Sequence, residues 1–218
     1  LDSIDQAAQE AAGVTKSLLT FSRKLPADKK PIELVRCVQN ALKLARRLLP
    51  ATIELTVHAE EDPPLWVNAD ATQIQQILMN LVINARDAMP DGGRLIVYVR
   101  VADQANLGEI AGRLDPDRAY AYIEVTDTGC GIPEDLRRRI FEPFFSTKER
   151  GKGTGLGLAI VHGIIENHGG FIEVRSQEGV GTTFTILLPQ IHPDSPEATV
   201  TVARPFVVQG HGECILLA

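Results

Sequence analysis

Cysteine, tryptophan and positive charge are all scarce in this sequence, and each shortage removes a class of protein. Three cysteines, Cys37, Cys130 and Cys214, stand far apart in 218 residues and are odd in number. They make neither a disulfide framework nor a zinc-ligand spacing, and such usage suits a reducing cytosol. No apolar run approaches the roughly 20 residues of a membrane span, and the amino terminus carries no signal-peptide pattern. Lys and Arg number 22 against 28 Asp and Glu, a formal net charge of −6, and no basic block reverses that balance locally. A general nucleic-acid binder is thereby excluded. What remains is ordinary globular material, 44% hydrophobic and 23% charged, long enough for one main domain with attachments. A core of that size stands without disulfides or metals. The chain opens without Met inside a helical pattern, so it reads as a piece of a longer protein, for which a membrane anchor remains compatible.

Residues 1–25 carry Ile4, Ala8, Ala11, Leu18 and Leu25 at heptad-like spacing, with Thr15 and Ser22 in the same phase. Ala7, Val14 and Phe21 widen the stripe into a helix that needs a partner, either a dimer bundle or the surface of its own domain. Residues 26–31, with Pro26 and Pro31, read as a hinge. Residues 32–189 then alternate helix and strand patterns. An amphipathic stretch over 35–49 stops at Pro50, a strand covers 53–57, and Asp70 is placed to cap a long helix running to Met89. Strand patterns follow at 94–101, 119–127, 171–176 and 182–188, with a helix over 156–167. Two long irregular stretches, 102–118 and 141–155, interrupt them. Residues 190–209 read as a linker and 210–218 as the first strand of a further, truncated domain.

The chemistry-bearing residues fall into four groups. On the long helix Asn80, Asn84 and Asp87 sit at i, i+4 and i+7, beside an apolar face of Ile74, Ile77, Leu78, Leu81, Ala85 and Ala88. Amides and a carboxylate at a buried edge need partners, and a magnesium–nucleotide supplies them; a helix edge at the solvent boundary fits the same stripe. In the strand over 119–127, Asp127 shares the apolar phase of Ala121, Ile123 and Val125, and runs into Thr128-Gly-Cys-Gly-Ile132. A carboxylate ending a buried face suits an adenine amino group, as it also suits a capped tight turn. Gly151-Lys-Gly-Thr-Gly-Leu-Gly-Leu158 opens directly into an apolar helix, which favours phosphate contact by backbone N–H groups over a flexible linker. It is neither the Walker pattern nor the dinucleotide spacing. Between these groups, Phe141, Phe144 and Phe145 read as anchors of a lid, with Lys148 placed either to reach terminal phosphates or simply to face solvent. Thr182 stands where it can hydrogen-bond near a base.

In this order the motifs resemble the nucleotide-binding boxes shared by histidine kinases, gyrase-type topoisomerases, heat-shock chaperone ATPases and mismatch-repair ATPases. The Asn box is Asn80-Leu-Val-Ile-Asn-Ala-Arg-Asp-Ala88, and the glycine boxes are Asp127-Thr-Gly-Cys-Gly-Ile132 and Gly153-Thr-Gly-Leu-Gly-Leu158. Phe141-Glu-Pro-Phe-Phe145 resembles the phenylalanine box of the histidine kinases in particular. The resemblance implies an α/β (α+β) two-layer sandwich, a mixed sheet covered by helices, with ATP under a mobile lid. It implies Asn84 as the magnesium ligand with Asn80 assisting, and Asp127 on the adenine amino group. Gly129, Gly131 and Ile132 would line the base pocket, and Gly153, Thr154, Gly155, Leu156 and Gly157 would hold phosphate. Asp87, Ala88 and Lys148 would complete the nucleotide contacts, with Thr182 supporting the base through water.

The implied function is transfer of the ATP γ-phosphoryl group to a histidine on a dimerisation helix that this chain lacks, with Asn84 and Lys148 assisting catalysis. Leu18-Leu-Thr-Phe-Ser-Arg-Lys24 resembles the end of the second helix of that hairpin, which implies a homodimeric parent. Gly210-His-Gly-Glu-Cys-Ile-Leu-Leu217 resembles the first strand of a response-regulator receiver domain, which implies a hybrid kinase and a receiver partner. Neither His162 nor His168 stands beside an acidic residue on a dimerisation helix, and both read as structural. The alternatives are an ATPase of the gyrase or chaperone kind, disfavoured because such enzymes put an acid where Asn80 stands, and a degenerate module that binds ATP only to regulate. A serine kinase of the anti-sigma type is also conceivable, although the helix over 1–25 and the receiver-like tail favour histidine.

Overall fold

The computed structural model describes residues 27–103, 107–147 and 154–193; the readings made for residues 1–25 and 210–218, and for Lys148 and Gly153, lie outside them. In chain order the elements are β1 (Lys30–Glu33), α1 (Leu34–Ala45), β2 (Ile53–Ala59), β3 (Trp66–Ala69), α2 (Ala71–Ala88), β4 (Gly93–Val101), β5 (Tyr120–Asp127), α3 (Gly157–Asn167), β6 (Phe171–Gln177) and β7 (Gly181–Pro189). The main sheet has the order β2-β4-β5-β7-β6; β2 runs parallel to β4 and every other neighbouring pair is antiparallel. The mixed two-layer architecture is the one the sequence implies.

The local causes are legible. α2 starts where the Asp70 carboxylate accepts the N–H groups of Thr72 (2.9 Å) and Gln73 (3.3 Å), satisfying two of the four donors a helix start leaves open. α1 is capped in the same way by Glu33, whose oxygens take the N–H groups of Val35 and Arg36. It tightens into a 3-10 turn at Arg46–Leu48 and ends before Pro50. Ile74, Ile77, Leu78, Leu81, Val82 and Ala85 of α2 are buried against the sheet face formed by Leu95, Val97, Val99, Ala121, Ile123 and Val125. Each large side chain so covered contributes about 1.5–3 kcal/mol.

Three features differ from the sequence reading. β1 and β3 pair antiparallel as a separate two-stranded sheet, and β1 takes Lys30 and Pro31 from the segment read as a hinge. A two-stranded sheet has only edge strands, where a residue without an N–H is tolerated. The stretch 102–118 is not wholly irregular: it carries a 3-10 helix at Gly108–Arg113. Leu107 and Ile110 there cover Tyr120, Tyr122 and Leu187 on the sheet face opposite the helices. Among the described residues no helix is long and apolar enough to cross a membrane.

Candidate functional site

A cavity of about 470 Å³ opens between α2, the loop after β5, the segment before residue 148, the start of α3 and β7. That is the size of a small-ligand site. α2 presents Asn80, Asn84, Asp87 and Ala88 to it, one above the other along the helix, as the i, i+4, i+7 spacing requires. Asn80 Nδ2 is buried without a hydrogen-bond partner, an arrangement that costs about 1–3 kcal/mol unless a ligand completes it. Its Oδ1 faces the first turn of α3, where a Cβ added to Gly157 would lie 3.5 Å away. Asp87 is partnered differently. Its Oδ1 accepts both Nε (2.9 Å) and Nη2 (2.7 Å) of Arg86, so it enters the cavity wall as half of an ion pair.

β5 carries Asp127 to the cavity floor, where it is 6% exposed. Burial pushes its carboxyl above the ordinary carboxylate range, and the backbone N–H groups of Gly129 and Thr182 pull the other way. The Gly129 N–H lies 2.8 Å from Oδ1. A nearly buried acceptor with no cation beside it among the described residues suits a neutral donor such as an amino group. Thr182, opposite Asp127 in the β5–β7 register, shares this floor and is 4% exposed.

The glycine boxes divide their labour. Gly131 lines the cavity with a φ of +72°, and a Cβ there would overlap the Gln177 carbonyl, so the turn admits only glycine. Gly129 does not line the cavity; its Cβ would stand 2.7 Å from both Cβ and O of Ala88, and it lets the loop pass under the end of α2. Ile132 lines the wall, its N–H held by Ser176 Oγ at 2.8 Å. In the second box Thr154, Gly155 and Gly157 line the cavity, whereas Leu156 is 0% exposed and belongs to the core. The Leu156 side chain thus packs inward, leaving only its backbone on the side of the loop, and Gly129 gives the loop room beneath Ala88. Among the described residues no side chain caps α3, a helix start of the kind that can receive an anion.

Two of the three phenylalanines anchor the segment before residue 148. Phe141 and Phe145 pack against the core, beside His162 (5.2 Å between rings) and beneath the Arg139 guanidinium (4.5 Å). Phe144 instead is 59% exposed, with a φ of +67°, and its backbone packs on Gly155. The apolar walls, Ile83, Ile140, Leu158 and Phe184, escaped the sequence reading. Their signal was positional: Ile83 lies between Asn80 and Asp87 on the same helix, and Phe184 follows Thr182 by one strand period. His168 is structural, as read from the sequence. Its Nε2 accepts the Asp70 N–H at 3.1 Å, which puts the ring proton on Nδ1, 2.8 Å from the Ile164 carbonyl.

Residues 69–192 match the family model of histidine kinase-, DNA gyrase B-, and HSP90-like ATPases. The chain is 44% identical over 190 residues to the sensor kinase CckA of Brucella abortus (strain 2308), covering 87% of this chain and 20% of that protein. The catalytic domain of the histidine kinase ThkA superposes with a TM-score of 0.60 at 30% identity, over 75% of this chain and 96% of that one. ThkA in complex with the response regulator TrrA superposes with a TM-score of 0.65 at 25% identity, over 87% of this chain and 50% of that one. The chain therefore spans about a fifth of the curated kinase and nearly all of the isolated catalytic domain.

Proposed function

The chain belongs to the family of histidine kinase-, DNA gyrase B-, and HSP90-like ATPases, and on that premise we propose that it holds magnesium–ATP and passes the γ-phosphoryl group to a histidine. The observation that carries this reading is the polarity of the cavity. One end offers the buried acceptor Asp127, and the other the uncapped start of α3, with apolar walls between. Adenine, which is flat, apolar and edged by an amino group, suits the first, and phosphates suit the second.

The residues also fit a magnesium ion. Asn80 turns its amide oxygen toward the first turn of α3, and Asn84 lies one helical turn away on the same wall. Two neutral oxygens suffice for an ion that keeps waters and phosphate oxygens as its remaining ligands. Magnesium held there would neutralise charge on the phosphates.

This chain's own contributions are positional. Asp127 accepts from the adenine amino group and Thr182 supports the base, while Gly131 and Ile132 shape its pocket. The N–H groups at Gly155 and Gly157, with Thr154, hold phosphate, and Lys148 and Gly153 extend that contact. A histidine ring nitrogen of the dimerisation hairpin then forms a bond to the γ-phosphorus as the bond to the β–γ bridging oxygen breaks, and ADP leaves. The parent is a cytoplasmic-facing homodimer in this reading, and a receiver domain takes the phosphoryl group onward. The complex of ThkA with a response regulator supports that last partner. Residues 210–218 supply the start of such a domain in the hybrid-kinase form of the proposal.

Incubating this chain with γ-labelled ATP, magnesium and a histidine-bearing helical hairpin tests the proposal. Acid-labile label on the hairpin, lost when the hairpin histidine is replaced by alanine, is expected. Nucleotide binding without any transfer would leave a regulatory ATP-binding module as the better account.

A further inference from the structure

The Ser176 hydroxyl is joined to three groups at once, and the chemistry of two of them fixes the third. It accepts the Ile132 N–H at 2.8 Å, because an amide nitrogen can only donate. It donates to the Gly181 carbonyl at 2.9 Å, because a carbonyl oxygen can only accept. A serine hydroxyl has one proton, and that proton is now committed. The remaining contact, 2.9 Å between Ser176 Oγ and Thr182 Oγ1, must therefore be donated by Thr182. With its own proton turned to Ser176, Thr182 has only lone pairs to offer the cavity that it lines beside Asp127.

We propose that Ser176, which does not line the cavity, is a positioning residue that sets the hydrogen-bond polarity of Thr182 and so makes the cavity floor read an amino group rather than an oxo group. Asp127 is an acceptor by its chemistry, and Thr182 is made one by its neighbour. A base that presents an amino group at this edge meets two acceptors. A base that presents a carbonyl there, hypoxanthine or guanine, meets only lone pairs where it contacts these two side chains directly. The same clasp holds the loop that forms the pocket: the Gly179 N–H donates to the Cys130 carbonyl at 2.8 Å, so the β6–β7 turn is tied to the glycine loop. Removing the Ser176 hydroxyl frees the Thr182 proton to turn toward the base and donate to an oxo group.

The inference rests on adenine occupying this cavity, and the test separates the two. Dissociation constants for magnesium–ATP and magnesium–ITP are measured with the wild-type chain, Ser176→Ala and Ser176→Thr, each checked for folding by thermal melting. The wild type prefers ATP. Ser176→Ala lowers the ATP-to-ITP preference roughly three- to tenfold, the scale of one hydrogen bond, and Ser176→Thr restores it. A merely structural serine would weaken both nucleotides equally and leave the ratio unchanged, which overturns the proposal. A wild type that binds both nucleotides equally also overturns it, and one that binds neither overturns the nucleotide site itself. Should Ser176→Ala fail to fold, Thr182→Val takes its place. It removes the same hydroxyl polarity and must lower the preference by a similar factor; an unchanged ratio there counts equally against the relay.

Discussion

At its amino-terminal end α3 begins on Leu156, an apolar residue that caps nothing, and its first N–H groups open onto the cavity. At its carboxyl-terminal end every available partner is used. The His168 ring bridges the Ile164 carbonyl and the Asp70 N–H, the N–H groups of Gly169 and Gly170 return to Glu166 and Ile165, and Lys29 donates to the Asn167 carbonyl. One end is built for stability and the other is left unfinished. α1 and α2 are capped by Glu33 and Asp70, so the missing cap on α3 is not a habit of the fold. Around the cavity, among the described residues, three features stand incomplete or costly: the α3 amides, the Asn80 amide nitrogen and the burial of Asp127.

The contrast predicts that the two regions fail in different ways. The largest effect is expected at the closed end. His168→Ala leaves the Asp70 N–H without its acceptor, strips one of two N–H donors from the Ile164 carbonyl and opens a cavity where the ring packed, and should lower unfolding stability by about 2–4 kcal/mol, measured by urea denaturation. The protein that remains folded should bind nucleotide normally. At the cavity, Asp127→Asn should behave oppositely. Loss of a charge-assisted hydrogen bond weakens ATP by about 1.5–3 kcal/mol, roughly 10- to 150-fold.

The fold itself should not suffer from that substitution. The Asp127 pKa is raised in the folded state, so its contribution is fully present below the ordinary carboxylate range and is lost as pH rises through the folded value. At neutral pH the ligand-free Asp127→Asn variant is therefore at least as stable as the wild type in the same denaturation experiment. Asn84→Ala should cost less, about 0.5–1.5 kcal/mol of ATP affinity, and the deficit should vanish when magnesium is removed by chelation. A deficit that persists without the metal would separate Asn84 from it.

The smallest effect is a pH dependence. His168 has its pKa lowered, chiefly by burial. Its contribution is therefore constant above the ordinary histidine value of 6.5 and declines as pH falls from there toward the folded value, where the decline ends. Thermal melting from pH 8 to pH 5 should show this decline in the wild type and lack its histidine part in His168→Ala.

Much of this was legible in the chain itself. The 3.6-residue period of α2 with Asp70 before it, and the alternation in β5 that delivers Asp127 inward, depend on local pattern and survived intact. β1 and β3 did not show, because four residues give two repeats of an alternation at most and their partner lies more than 30 residues away. The 3-10 turn that covers the outer face of the sheet was hidden for the same reason: Leu107 and Ile110 are buried by Tyr120 and Leu187, contacts no local period announces. Within the site, the glycine boxes gave the right loops but not the division between wall and support. Gly129 and Gly131 are two residues apart, yet one packs under Ala88 and the other faces the cavity. Ser176 was invisible because nothing in a strand reading Phe-Ile-Glu-Val-Arg-Ser-Gln says that its serine will meet Ile132 across 44 residues.

In the function proposed here the unfinished features, and not the fold alone, make a magnesium–ATP site. Calorimetric titration of magnesium–ATP into the wild-type chain, Asp127→Asn and Asn84→Ala tests it most directly. Magnesium-dependent binding is expected, weakened at least tenfold by Asp127→Asn and less by Asn84→Ala. A well-folded wild-type chain that takes up no nucleotide, or an Asp127→Asn variant that binds as tightly as the wild type, would contradict it.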